Sequence, residues 1–159
     1  MNKPALLQQI IAALQAELDG YTRSARAAHS EATDEQSRAE NKYDTRGLEA
    51  SYLARGQSRQ ALEVIEAIQH FGAMGARDFS RDEAADLGAL VALEESGATH
   101  YYFIGPRSGG LEIMHDGHPV LVITPHSPLG QRLVGRKVGE TLQMPSSRDP
   151  STCRVASIV

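Results

Sequence analysis

Carboxylates gather in one stretch of this sequence. Between His29 and Thr45 stand Glu31, Asp34, Glu35, Glu40 and Asp44, interleaved with Arg38 and Lys42, followed by Arg46, and with almost no apolar residue among them. Carboxylates are the hard oxygen donors that Mg²⁺ prefers, and one or two suffice to hold that ion loosely beside its waters. The same mixture is also what a solvated bend with helix-end charges looks like. Three other groupings carry less. His115 and His118 flank Asp116-Gly117 at a spacing that suits a metal, but Asp-Gly before a strand led by Pro119 reads first as a hairpin turn. Ser51, His100 and Asp86 form a nucleophile set only on paper, since none sits in an elbow motif. Gly105, Gly109 and Gly110 around Arg107 make a turn, because no helix follows to cradle phosphate.

The acid-rich stretch lies between two segments with helical periodicity. Leu7, Ile11, Leu14, Leu18 and Tyr21, then Ala25 and Ala28, recur at alternating four- and three-residue steps, the spacing of a coiled-coil seam. Pro4 suits a first turn, where its missing N–H costs nothing, so helix one is expected from about Pro4 to about Ala28. At ~1.5 Å per residue it would be roughly 35 Å long. Periodicity resumes weakly at Leu48, Tyr52 and Leu53 and strongly at Ala61, Leu62, Ile65, Ile68 and Phe71, ending near Gly72. Gly47, Gly56 and the polar run from Arg55 to Gln60 predict fraying or a kink in mid-helix. Two such helices with a polar bend between them pack antiparallel, each covering the other's seam. Tyr43, Leu48 and Tyr52 are expected to pack against the opposite helix.

After a linker from Gly72 to Arg81 the pattern changes to short apolar runs at Leu87–Leu93, Thr99–Ile104, Leu111–Met114 and Val120–Ile123. Turn signals at Glu95-Ser96-Gly97, Gly105-Pro106, Gly109-Gly110 and His115-Asp116-Gly117 separate them, and an antiparallel sheet follows. Ser127 and Pro128 start a short helix with Leu129, Leu133 and Val134 on one face, and Glu140–Met144 and Cys153–Val159 supply a last pair of strands. The expected class is thus α+β. An antiparallel helical hairpin covers 1–74, with its acidic tip at about 30–45, and a small antiparallel β-sheet domain with one short helix covers 82–159.

Composition limits what this arrangement does. Apolar residues make up 41% of the 159, charged residues 23% and aromatic residues 5%, enough for a core with few rings in it. A formal charge of −4 argues against coating nucleic acid unaided, which requires a basic field to release counterions. The stretch from Ala5 to Leu14 is broken by Gln8 and Gln9 and is read as helix, not as a signal peptide. No run approaches the roughly 20 apolar residues of a membrane span. The single Cys153 allows no intramolecular disulfide, which suits a reducing cytoplasm.

The string from Ile123 to Glu140, Ile-Thr-Pro-His-Ser-Pro-Leu-Gly-Gln-Arg-Leu-Val-Gly-Arg-Lys-Val-Gly-Glu, resembles the C-terminal signature of the Gre transcription elongation factors. In that family a strand leads to a Ser-Pro-aliphatic helix start, then a Gly-Lys/Arg-x-x-Gly-Asp/Glu turn and another strand, within an FKBP-like domain that lacks isomerase activity. The hairpin and the Glu40-Asn41 pair at its tip resemble the family's coiled coil. The resemblance implies a monomer that binds bacterial-type RNA polymerase through the β domain, with Ser127, Pro128, Leu129, Gly135 and Lys137 in the docking segment. The hairpin would then enter the secondary channel, where Asn41 and Asp44 accompany the tip acids. Contact with nascent RNA or DNA would occur only inside the transcription complex, and no membrane is involved.

In the same resemblance the tip carboxylates share Mg²⁺ with the polymerase and assist cleavage of backtracked RNA. The protein is then a cofactor of cleavage with no bound metal or cofactor in isolation, and is not an enzyme by itself. The family's acidic pair is Asp-x-x-Glu followed by Asn, and the matching string is Ser37-Arg38-Ala39-Glu40-Asn41. Ser37 stands where the family has Asp. Glu40 matches, and the second carboxylate must come from Asp34, Glu35 or Asp44. One alternative is a factor that occupies the channel without cleaving and competes with Gre-type proteins. Another is a coiled-coil adaptor that dimerises through the seam from Leu7 to Tyr21.

Overall fold

A computed structural model describes residues 1–33, 46–80, 82–145 and 152–159. Helix α1 is Lys3–Thr33 and helix α2 is Arg46–Met74. They are followed by β1 Leu90–Glu95, β2 Ala98–Ile104, β3 Glu112–His115, β4 His118–Ile123, the short α3 Gly130–Leu133, β5 Thr141–Gln143 and β6 Thr152–Ile158. The chain divides into two compact units, one made of Met1–Ile11 with Gln69–Val159 and the other of Ala12–Ile68.

In the helical unit, α1 and α2 run antiparallel, since Thr22 to Ser30 of α1 line the same trough as Ala54 to Leu62 of α2. Leu14 and Ala28 of the expected seam are buried, while Leu18, Tyr21 and Ala25 are half-buried. The α2 side differs from its expected pattern. Val64 and Ala67 are buried and Ala54, Gln57, Ala61 and Ile68 half-buried, whereas Leu62 and Ile65 are exposed. The reason is periodicity: Ala54, Gln57, Ala61, Val64 and Ile68 form an unbroken three-four run, and Leu62 and Ile65 fall to one side of it on a 3.6-residue helix. Tyr52 and Leu53 are exposed as well, so Tyr52 does not pack on α1 as expected. Helix α2 runs through Gly56 as one continuous span, without fraying there.

In the other unit, six strands lie in the order β3-β4-β2-β1-β6-β5. Every neighbouring pair is antiparallel except β2 and β4, where Tyr101 to Ile104 run parallel to Val120 to Ile123. The sequence reading gave an antiparallel sheet, which holds apart from this pair. The connection from Gly105 to Leu111 carries the chain past the slot beside β2, so β3 becomes the edge and β4 fills the gap. Ser96-Gly97 and Asp116-Gly117 close the β1–β2 and β3–β4 hairpins with positive φ at both positions, the geometry that matches the twist of paired strands.

One face of the sheet holds Val91, Leu93, Ile104, Ile123, Cys153 and Val155, covered by Ala85, Ala89 and by Leu129 and Leu133 around α3. The opposite face carries Phe103 and His115. Phe103 meets Phe71 of α2 with ring centroids 6.4 Å apart, and His115 meets Gln9 of α1. The first turns of α1 and the last of α2 are therefore part of this unit's core, with Leu6, Ile10 and Phe71 almost wholly buried. Asn2 starts α1 by accepting the Ala5 N–H on its side-chain oxygen at 3.1 Å and the Leu6 N–H on its carbonyl at 3.0 Å.

Candidate functional site

The tip residues Asp34, Glu35, Glu40, Asn41 and Asp44 lie outside the described residues, as do Tyr43 and Ser37. The helices that would present them are described. α1 spans 31 residues, about 46 Å of helix at ~1.5 Å per residue. In the helical unit the Tyr21 hydroxyl donates to Glu17, and the charges of Glu17 and of Glu63 from the other helix hold that phenol above its usual range.

The Ser127–Glu140 segment is built residue by residue as a joint. Ser127 Oγ donates to the Thr124 carbonyl at 2.7 Å and accepts the Gly130 N–H at 3.1 Å, while the Gln131 N–H reaches the Ser127 carbonyl at 2.9 Å. The side chain thus satisfies one of the N–H groups that a helix start leaves free. Gly130 lies so close to the Thr124 carbonyl that a Cβ there would stand 1.9 Å from its oxygen, so no side chain fits. Leu129 and Leu133 are buried beneath the turn. Gly135 and Gly139 then turn the chain at φ +86° and +89°, values L-residues avoid. Gly135 N–H bonds to Ala85 O, ahead of β1, at 2.8 Å and Gly139 N–H to Val155 O of β6 at 2.8 Å, which fastens the segment to the sheet unit. Between the two glycines the Lys137 N–H donates to Glu140 Oε2 at 3.1 Å, and Arg136 Nη1 lies 3.8 Å from the same oxygen.

The segment's candidate residues therefore separate by role. Ser127, Leu129 and Gly135 shape the joint, while Pro128 and Lys137 are exposed and free to meet a partner. No protein-family model matches this chain, and no curated protein matches it. The chain is similar to solved transcription factors. One is GreA factor homolog 1 (Gfh1) of Thermus thermophilus, at 21% identity over 94% of each chain with a TM-score of 0.39. A second is Gfh1 of Thermus aquaticus, at 19% identity over 92% of each chain with a TM-score of 0.40. A third is the elongation factor GreA/GreB of Nitrosomonas europaea, at 13% identity over 70% of this chain and 91% of that one, with a TM-score of 0.38. At such identities no role passes from those proteins to a position here.

The histidine pair that the sequence singled out takes other partners. His115 is 2% exposed. Its Nδ1 donates to Gln9 Oε1 at 2.7 Å, and its Nε2 faces Asp116 Oδ2 at 3.4 Å without a hydrogen bond. Asp116 also accepts the Asn2 N–H at 3.4 Å, so a hairpin turn and a helix start share one polar cluster. His118 packs its ring on Tyr101 at 5.1 Å. Among the described residues no three His, Cys, Asp or Glu side chains converge to hold a metal, and no described helix is long and apolar enough to cross a membrane. Lys3 is buried with its ammonium 4.8 Å above the Phe79 ring and with no hydrogen-bond partner. Nothing in its neighbourhood in sequence signals that burial.

Proposed function

We propose that this protein is a transcription elongation regulator that binds RNA polymerase, docking through its β-rich unit and inserting its paired helices into the secondary channel. The observation that carries the reading is the Ser127–Glu140 joint. Its order of strand β4, Ser-Pro turn, short helix, two-glycine turn and strand β5 is the order the Gre-type string implies, and Ser127, Leu129, Gly130, Gly135 and Gly139 each have a physical task in it. Pro128 and Lys137 are the exposed members through which it would meet the polymerase.

At the tip, Glu40 together with Asp34 or Glu35 would hold Mg²⁺ beside the polymerase's own ion. An ion held there would supply Lewis-acid activation of water for cleavage of a phosphodiester near the 3′ end of a backtracked transcript. The polymerase supplies the main metal site, so the protein acts as a cofactor of that cleavage. Ser37, at the position where the family's string has Asp, favours a second reading in which the helices occupy the channel and compete with cleaving factors.

Halted, backtracked complexes with Mg²⁺ separate the two readings. Under the first, the protein shortens the RNA, and Glu40→Ala lowers that rate by about 10²-fold or more, the scale of losing one group in a charge-stabilising site. Under the second, the RNA stays intact and added protein slows cleavage stimulated by a Gre-type factor. No effect in either assay would remove both.

A further inference from the structure

The outer edge of the sheet carries a polar cleft that Pro128 and Lys137 do not line. Strand β5 is an edge strand, and between it and the turn of α3 lies a hollow of about 450 Å³ lined by Arg132, Arg136, Thr141, Leu142, Gln143 and Thr152. Leu142 is buried in the core, so the polar surface comes from two guanidinium groups, two hydroxyls and one amide. Among the described residues, no carboxylate and no aromatic ring lines it.

Both arginines are fixed there by neutral oxygens. Arg132 Nη1 donates to the Gln143 carbonyl at 2.8 Å and to the Met144 carbonyl at 3.4 Å, which ties α3 to β5. Arg136 Nε donates to the Arg132 carbonyl at 3.3 Å, and its Nη1 stands 3.8 Å from Glu140 Oε2, beyond hydrogen-bond reach. A guanidinium has five N–H groups, so most of each fork stays open while its position is held. Other arginines of the chain are spent on acids. Arg154, opposite Thr141 in the β5–β6 ladder, meets Glu94 at 2.6 Å, and Arg59 meets Glu63 at 3.4 Å. Arg132 and Arg136 thus bring a largely uncompensated positive charge to one cleft.

We propose that this cleft binds a phosphate dianion, supplied by a small phosphate monoester or as the free ion. The two forks take its oxygens from the α3 side, and the hydroxyls of Thr141 and Thr152 donate from the strands. A carboxylate offers two oxygens in one plane and is satisfied by a single fork, whereas a tetrahedral phosphate uses donors that converge from a helix turn and two strands. A polynucleotide lacks what it needs here. Glu140 stands beside Arg136, and the Glu94–Arg154 pair occupies the next hollow past Thr141 and Thr152, so no basic track continues for successive phosphates. No ring lines the cleft for a base to stack on. Holding the arginines in place beforehand lowers the ordering cost of binding. The inference stands without the polymerase reading, because it needs no second protein.

Isothermal titration calorimetry of the full chain at about pH 7.5, where phosphate is mostly doubly charged, is the test. Inorganic phosphate and ribose 5-phosphate are the probes, with acetate at equal ionic strength as the control. Saturable binding of at least one phosphate probe is expected, with a dissociation constant of about 1 mM or tighter. Acetate binds about tenfold more weakly or not at all, and the tighter phosphate probe identifies the source. R132A/R136A lowers the affinity by about tenfold or more, and R154A, which removes an arginine already paired with Glu94, leaves it unchanged. Because Arg132 also holds β5, T141V/T152V is the second variant; it keeps both arginines and weakens binding about threefold or more. No saturation by either phosphate probe up to about 20 mM overturns the proposal, as does binding that acetate matches or that either variant leaves intact. Tighter binding of a uridine oligonucleotide than of ribose 5-phosphate assigns the cleft to nucleic acid and overturns it too. RNA polymerase binding is a separate measurement on the same protein, and none of these outcomes decides it.

Discussion

Lys3 shows how far a single residue can depart from its sequence signal. Placed beside Pro4 it looks like an ordinary polar residue of a first turn, yet its side chain is 2% exposed. Burial pushes its ammonium below the ordinary lysine range; Asp78 pulls the other way and Arg77, stacked 4.3 Å above the same Phe79 ring, adds to the depression. The native state thus holds this proton less tightly than the unfolded chain. The penalty for the buried charge is present below the native pKa and disappears as pH rises past the unfolded value of about 10.4. Lys3→Met should therefore stabilise the protein at pH 7, by about 1 kcal/mol in urea unfolding, with the gain shrinking as pH rises through the lowered native pKa and gone above about pH 10.4. A loss of stability at pH 7 would mean that the Phe79 contact outweighs the burial cost. Cys153 is simpler. Its thiol lies in the core within 3.6 Å of the Leu142 carbonyl, and burial pushes its pKa up. Thiol reagents at pH 7 should react with it only at the rate of unfolding, and rapid labelling of the native protein would contradict that placement.

At the scale of elements, the period of a side-chain pattern was legible and its phase was not. The coiled-coil spacing located both helices. Large apolar residues at Leu62 and Ile65 suggested the wrong face of α2, because in a pair of closely packed helices alanines can line the seam and leave bulkier residues at its side. The hairpins at Ser96-Gly97 and Asp116-Gly117 were legible, since turn chemistry is local. The parallel β2–β4 pair was not, because it depends on where a seven-residue connection lets the chain re-enter the sheet. The Ser127–Gly139 joint was visible as a string, but the task of Gly130 became clear only in three dimensions. Gly130→Ala must displace the Thr124 carbonyl and should cost about 3 kcal/mol or more, read as a fall in unfolding midpoint with little change in helical signal from α1 and α2. A loss under 1 kcal/mol would show that the joint can relax.

For the whole molecule, the α+β class and the order of its parts follow from where helical periodicity gives way to short apolar runs. The division into compact units does not follow from that change, since Met1–Ile11 and the end of α2 belong with the sheet. Burial of Leu6, Ile10 and Phe71 in the sheet unit decides that, and no linker composition announces it. The proposed tip chemistry would depend on Glu40 and its neighbours, and the proposed docking on the Ser127–Glu140 joint. Both assignments require one partner. The most direct test is titration of labelled full-length protein with core RNA polymerase, followed by fluorescence anisotropy, with a P128A/K137E variant in parallel. Saturable binding that is weakened about tenfold or more by the two exposed substitutions is the predicted result; no binding to free polymerase or to halted elongation complexes would contradict the assignment.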